Sequence, residues 1–280
     1  MFVPLTHSSA HRYIVANAVA IIGVTMRAAV LGLGEAGTIY AHELVAAGFD
    51  VSGFDVRAID KPWDGVTITT EVSEAVRGAD LVVSVTTAAG AISAASSAYP
   101  HLSPDAVYAD LNASSPRRKA EVANVLDGVL FADVAVLAPV AREGLNTPAL
   151  VAGSGAQRFA DILAPFATSI EVIDGPAGAA AGRKLLRSIF MKALATSVLE
   201  SLAAGRAAGS EDWVRNQIIA ELDSGGARLV ERLVTGTAAH AERRLHEMED
   251  TREYIHELGT PDEMTAATIS WLSAIRDGER

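Results

Sequence analysis

The stretch from Met26 to Thr38, Met-Arg-Ala-Ala-Val-Leu-Gly-Leu-Gly-Glu-Ala-Gly-Thr, restricts the fold more than any other part of this sequence. A short apolar run, Ala28 to Leu31, has the content of a buried strand and passes directly into Gly32-x-Gly34-x-x-Gly37. A helical pattern follows from Thr38 to Ala47, then a second apolar run, Val51 to Phe54, ending on Asp55. Strand, glycine turn, helix, strand and terminal acid is the order of a dinucleotide-binding βαβ unit. Gly32 permits the tight turn. Gly34 lets the backbone approach a pyrophosphate at the positive end of the helix, and Gly37 lets helix and strand pack closely. Coenzyme contacts are therefore expected from Gly32, Leu33, Gly34, Glu35, Ala36 and Gly37. The same glycines would suit a crossover that binds nothing; the flanking elements and the acid are what favour a ligand.

Asp55 is placed to accept hydrogen bonds from the ribose hydroxyls and would repel a 2′-phosphate, which favours NAD. Arg57, two residues on, would instead pair with that phosphate and admit NADP, or stand as a solvated loop charge. Ser84-Val85-Thr86-Thr87 closes the next long strand, so Thr86 and Thr87 join the expected coenzyme contacts at the carboxyl edge of the sheet.

Beyond Asp55, β-like and helical runs alternate. Val66 to Thr69 reads as strand and Val72 to Val76 as helix. Leu81 to Val85, Val107 to Leu111 and Val129 to Val136 read as buried strands, with Leu150 to Ala152 and Ile170 to Ile173 closing the series. The alternation predicts a mostly parallel, doubly wound α/β sheet. From Ala177 no strand pattern remains. Ala179 to Ala204 reads as one long helix without proline. Helical segments follow at Trp213 to Leu222, Ala227 to Ile255 and Asp262 to Ile275, the last with Thr260 and Pro261 as its start signal. The expected organisation is an extension (1–25) dispensable for the fold, an N-terminal Rossmann domain (26–175), and a long connecting helix leading into an all-helical C-terminal domain (176–280).

Composition narrows what such a chain does. Half of the 280 residues are hydrophobic, enough for one large domain or two medium ones. The absence of cysteine removes disulfides, thiol nucleophiles and thiolate metal sites, and suits a reducing, cytoplasmic setting. No metal site is expected. A net charge of −11 argues against a nucleic-acid partner, but not against a small anionic substrate, which senses only the local field. Tyr13 to Met26 is too short and too polar to span a bilayer, so no membrane partner is expected. The alanine-rich connecting helix and the apolar C-terminal helices carry more apolar surface than a lone helical domain covers, which predicts a homodimer.

Two further stretches carry chemistry. Asp110-Leu-Asn112-Ala-Ser114-Ser115-Pro116 closes a parallel strand where ligands bind in such sheets. Asn112 and Ser114 are expected at the substrate, whereas Ser115, followed by Pro116, suits a helix N-cap. In Gly175-Pro-Ala-Gly178-Ala-Ala-Ala-Gly182-Arg183-Lys184-Leu-Leu-Arg187-Ser188-Ile-Phe-Met191-Lys192, the residues Lys184, Ser188 and Met191 share a helical face with Arg187 and Lys192 at its margins. Basic groups in apolar surroundings point to a lined cleft; a solvated helix face is the plainer alternative. His240, Arg243, Arg244 and Glu247 would likewise share a face, either closing over an anion or forming a salt-bridged surface.

Taken together these stretches resemble the β-hydroxyacid dehydrogenase and 6-phosphogluconate dehydrogenase superfamily. The likeness rests on the Gly32–Gly37 fingerprint, the Asp110–Pro116 turn, the segment Phe131-Ala-Asp133-Val-Ala-Val136 and the Gly175–Ser188 helix start. It spans Met26 to about Met191; the remainder resembles a bacterial branch with an uncharacterised helical C-terminal domain. The resemblance implies that Lys184 is the acid/base, taking a proton from a substrate hydroxyl as hydride moves to nicotinamide. An unperturbed lysine has a pKa of about 10.4. Burial and nearby cations, Arg183, Arg187 or Lys192, would lower it toward working pH. The sequence departs from the family pattern where an asparagine often follows the lysine by four residues, here Ser188. It departs again in the substrate loop, where Asp-Ala-Pro-Val and paired glycines become Asp133-Val-Ala-Val136 and Ala138-Pro139-Val140-Ala141-Arg142.

The expectation is an NAD(P)-dependent oxidoreductase acting on the CH–OH group of a small hydroxy acid. Asn112, Ser114 and Ser188 would orient the substrate, and Arg187 or Lys192 would hold its anion. Imine reduction on the same scaffold and non-catalytic NAD(P) sensing are the alternatives; a sensor needs no acid/base.

Overall fold

The computed structural model describes residues 25–57, 59, 63–223 and 225–279; apart from Thr25, the expected N-terminal extension lies outside them. The chain divides into two compact units, residues 1–186 and 187–280.

The first unit is built on an eight-stranded sheet in the order β3-β2-β1-β4-β5-β6-β7-β8. Its strands are β1 (Arg27–Leu31), β2 (Asp50–Phe54), β3 (Val66–Ile68), β4 (Leu81–Ser84), β5 (Val107–Asp110), β6 (Leu130–Val136), β7 (Ala149–Ala152) and β8 (Ile170–Val172). All neighbours run parallel except β6 and β7, where Asp133 faces Ala152 in an antiparallel pair. Six helices accompany the sheet: α1 (Glu35–Ala46), α2 (Val72–Val76), α3 (Ala91–Ala98), α4 (Pro116–Val125), α5 (Val140–Glu143) and α6 (Ala156–Leu163).

Burial explains why the strands read as unbroken apolar runs. Ala28 and Val30 of β1 enter a core with Leu44 of α1 and Phe159 and Leu163 of α6. The alternate residues Ala29 and Leu31 enter a second core with Val76 of α2, Ala95 of α3 and Val122 of α4. With helices on both faces, both sides of a strand are largely apolar, and buried polar residues such as Ser84, Asp110 and Asp133 stand out against that background. This is the doubly wound sheet that the alternation predicts.

The connecting helix α7 (Ala179–Ala207) is a few residues longer than its sequence pattern. The division between units falls inside it, rather than at Gly175 where the strand pattern stops. The reason is packing: Ala180 is buried with Ala135, Ala152 and Ile173 of the sheet.

The second unit is wholly helical. It holds the rest of α7 with α8 (Glu211–Asp223), α9 (Gly226–Ala239), α10 (Ala241–Leu258) and α11 (Glu263–Arg276). The single helical segment expected over Ala227 to Ile255 is two helices, broken where His240 leaves helical geometry at φ −131°, ψ 28°. The start of α11 also differs from the Thr260–Pro261 reading. Asp262 is its N-cap residue without a side-chain cap, and the free N–H groups of Met264 and Thr265 donate instead to the Glu200 carboxylate at 2.6 and 2.8 Å. Among the described residues no helix is long and apolar enough to cross a membrane.

Candidate active site

The glycine turn joins β1 to α1 at the carboxyl edge of the sheet, and its three glycines are glycines for different reasons. Gly32 has φ +94°, and a Cβ there would lie 2.4 Å from the Val85 carbonyl oxygen. A Cβ on Gly37 would lie 1.8 Å from the Gly32 carbonyl oxygen. Both positions are closed by backbone. Gly34 is different: its backbone is extended at φ −74°, ψ −163°, and a Cβ would meet nothing nearer than Arg57 Nη2 at 3.9 Å. Among the described residues nothing in the packing demands a glycine there, and the space in front of it is of the kind a ligand backbone contact needs. No side chain caps α1, which leaves its first-turn N–H groups directed at that space. The residues therefore fit a bound dinucleotide pyrophosphate. Leu33 is buried and Ala36 half-buried, whereas Glu35 is exposed.

Asp55 directly follows β2, with its side chain 7% exposed. It accepts a hydrogen bond from the Leu33 N–H at 2.7 Å and others from the Arg57 N–H and Nε at 2.9 and 3.1 Å. Burial alone would raise this carboxyl's pKa. The Arg57 and Leu33 donors outweigh burial and hold it below the usual range. Arg57, 70% exposed, lies over the open side of the turn.

Thr86 and Thr87 follow β4. Thr86 Oγ1 donates to Asn112 Oδ1 at 3.3 Å, and Thr87 Oγ1 accepts from the Gly90 N–H at 3.1 Å. Asn112 is buried, its amide donating to Asp110 Oδ1 at 2.6 Å and to Ser84 Oγ at 3.2 Å. The coenzyme turn and the Asp110–Pro116 turn are thus joined through Val85, Thr86 and Asn112. Ser115 caps α4, accepting from the Arg118 N–H at 3.3 Å, with Pro116 at the first helical position.

Beside this junction lies a cavity of about 320 Å³, lined by Asn112, Ser114, Ser115, Lys119 and Lys184 with Ala113, Val134, Ala135, Ala181 and Leu185. Ser114 Oγ is buried without a hydrogen-bond partner among the described residues. Lys184 is half-buried. Arg183, Arg187 and Lys192 are exposed, so the close burial expected along this stretch is not found there. Arg187, Ser188 and Lys192 belong to the second unit, on the continuation of the same helix, and are not among the cavity's lining residues.

The lysine that is buried is one the sequence reading passed over. Lys119, in the first turn of α4, is 1% exposed. Its Nζ donates to the Asp110 carbonyl oxygen at 2.5 Å and stands 3.5 Å from Asp110 Oδ1 and 3.4 Å from Asp133 Oδ1. Its neighbours Arg117, Arg118 and Glu121 make the segment look like a solvated surface. The signal was its phase: Lys119 shares a helical face with Val122 and Leu126, both buried. Asp133 was quoted only as part of a motif. Its Oδ2 accepts from the Gly178 and Ala181 N–H groups at 2.9 and 3.1 Å, capping α7 just before Lys184.

The face expected around His240 resolves into separate contacts. His240 stands at the N-cap position of α10 without a side-chain cap, Arg243 pairs with Glu247 at 2.6 Å, and Arg244 donates to Thr237 Oγ1 at 2.7 Å. Among the described residues no group of acidic or histidine side chains is placed to hold a metal ion.

Glycine cradle, terminal acid and adjoining lysine-lined cavity define a dinucleotide-dependent enzyme scaffold. The chain belongs to the family described as the NAD binding domain of 6-phosphogluconate dehydrogenase, matched over residues 27–171, and residues 206–275 match a domain of unknown function, DUF1932. Nicotinamide dinucleotide is accordingly its coenzyme, and the chain is an NAD(P)-dependent oxidoreductase by family. It is similar to an uncharacterised 28.5 kDa protein of Methanothermus fervidus, 28% identical over 68% of this chain and 74% of the relative. A solved protein of unknown function, described as structurally similar to 3-hydroxyacid dehydrogenases, is 25% identical with a TM-score of 0.58, covering 91% of this chain and 98% of its own. An imine reductase from a Pseudomonas species shares the fold, with TM-score 0.75 at 18% identity over 91% of this chain and 95% of its own.

Proposed function

We propose that the protein transfers hydride between nicotinamide and a small anionic hydroxy acid, with Lys184 as acid/base. The observation that carries this reading is the lining of the cavity beside the coenzyme turn. Lys184, Lys119, Asn112 and Ser114 contribute to it, and no carboxylate does. An anion entering there meets Lys184 and hydrogen-bond donors, the charge of Lys119 being matched by Asp110 and Asp133, and about 320 Å³ suits a small substrate.

The bound nicotinamide supplies the hydride acceptor or donor. Asn112 and Ser114 orient the substrate hydroxyl, and Lys184 Nζ removes its proton as the carbon loses hydride, returning it in the reverse direction. The Asp55 carboxylate, beside the glycine turn, would accept from the ribose hydroxyls and favours NAD over NADP. The protein works as a homodimer, with the exposed apolar side chains of the second unit at its interface.

Imine reduction is the second reading. It is favoured by Ser188 standing where an asparagine is common, and by a loop at Asp133–Val136 that lacks the usual proline and glycines.

Turnover of purified protein with hydroxy acids, keto acids and imines separates the readings. Lys184→Ala should leave NADH affinity nearly unchanged and lower turnover by about 10²–10⁴-fold, the contribution of a positioned acid/base. Near-normal turnover in Lys184→Ala with loss in Lys192→Ala would move the role to Lys192. If neither change matters, hydride chemistry gives way to coenzyme sensing.

A further inference from the structure

We propose that Lys119 is a positioning residue, whose buried ammonium ties the substrate-side turn after β5 to the amino end of the helix that bears Lys184. The proposal rests on the reading of Lys184 given above.

Burying a lysine is costly unless its charge and donors are met, so a lysine at 1% exposure needs a reason. Here the ammonium is met on two strands. On β5 it holds the Asp110 carbonyl and faces Oδ1 of the same residue; on β6 it faces Asp133 Oδ1. Each carboxylate then works outward. Asp110 Oδ1 accepts from the Asn112 backbone and side-chain amides at 2.9 and 2.6 Å, fixing the turn that presents Ser114. Asp133 Oδ2 holds the Gly178 and Ala181 N–H groups, fixing the helix turn before Lys184. The two segments also touch directly, since a Cβ on Gly178 would lie 2.6 Å from the Pro116 carbonyl oxygen. Lys119 is the one cation among the described residues that pairs with either carboxylate.

Without Lys119, two buried carboxylates on neighbouring strands are left without a cation between them, and their repulsion opposes the directions in which they hold Asn112, Gly178 and Ala181. The turn and the helix end then shift independently. A displacement of about 1 Å between substrate and acid/base is enough to lower turnover by roughly 10²-fold. The Gly32–Gly37 cradle, built from β1, β2 and α1, meets this bridge at its edge, where Thr86 donates to Asn112.

The test compares Lys119→Met with Lys119→Met/Asp133→Asn in the full chain, the second removing the surplus charge while keeping an oxygen for Gly178 and Ala181. Lys119→Met should hold NADH affinity within about twofold, as expected for separate sites. It should lower kcat by at least about tenfold with a smaller change in KM. Amide exchange at Gly178 and Ala181 should quicken by about tenfold, the loss expected for a weakened charge-assisted hydrogen bond. The double variant should recover most of both. Unchanged exchange in Lys119→Met, or a double variant no better than the single, overturns the proposal. If Lys119→Met does not fold, the double variant decides: folded with protected amides supports the bridge, unfolded or unprotected overturns it. Exchange needs no substrate, so it reads the bridge even if Lys184→Ala shows the hydride reading itself to be wrong.

Discussion

Gly34 and Gly37 stand three residues apart in one motif yet answer to different demands. A Cβ at Gly37 runs into the Gly32 carbonyl, whereas one at Gly34 projects into open space. Gly37→Ala should therefore destabilise the fold by about 1–3 kcal/mol, the usual range for forced overpacking. Gly34→Val should leave the thermal midpoint nearly unmoved and abolish measurable NADH binding. Thermal unfolding and fluorescence titration with both coenzymes check the pair; much tighter NADPH than NADH binding in the parent would shift the weight from Asp55 to Arg57. Asp55 makes a further prediction. Its folded pKa is lowered, so the stability it contributes is fully present above the unfolded value of about 3.9 and is lost as pH falls through the folded one. The stability difference between the protein and Asp55→Asn should be constant at neutral pH and shrink below about pH 4. Denaturant melts across that range would show it; a difference that grows in acid would contradict the assignment.

At the scale of elements, what the sequence makes legible is what is locally determined. The central strands of the first unit, β1, β4 and β5, are buried almost throughout, so an apolar run suffices to find them. Ser115 caps the helix that follows it, and the cap is readable because donor and acceptor are three residues apart. The start of α11 was misread for the opposite reason. Thr260 and Pro261 are a sound local signal, but the cap comes from Glu200, on α7, through three hydrogen bonds to Met264 and Thr265. Lys119 was missed similarly: its partners Asp110 and Asp133 lie on separate strands, and nothing in Arg117-Arg118-Lys119 announces burial. Glu200→Ala should destabilise the helical unit by about 1–2 kcal/mol, as loss of a helix cap does. Glu200→Gln, which keeps the acceptor, should cost less. Helicity followed through thermal unfolding tests this, and equal effects of the two changes would remove the capping role.

At the scale of the molecule, the two units differ in how they satisfy their apolar residues. The first buries most of them in two large cores and a smaller cluster about its sheet. The second leaves Ile189, Phe190, Leu199, Trp213, Val230 and Val234 more than half exposed. Covering several such side chains, at about 1.5–3 kcal/mol each, is comparable with an association cost on the order of 4–15 kcal/mol, which is why a second copy of the chain is the expected cover. Light scattering at micromolar concentration should give the dimer mass, and Phe190→Glu with Ile189→Glu should give the monomer; a monomeric parent would remove the idea. The strand order has a consequence of another kind. β1 pairs on one side with β2, which follows it closely in the chain, and on the other with β4, more distant in the chain. A ribosome delivers β1 and β2 before β4 exists. Until Leu81–Ser84 emerges, the backbone edge of β1 next to Ala28 and Leu31 has no partner, and the nascent chain carries an open, apolar strand edge of the sort that chaperones engage and that aggregation exploits.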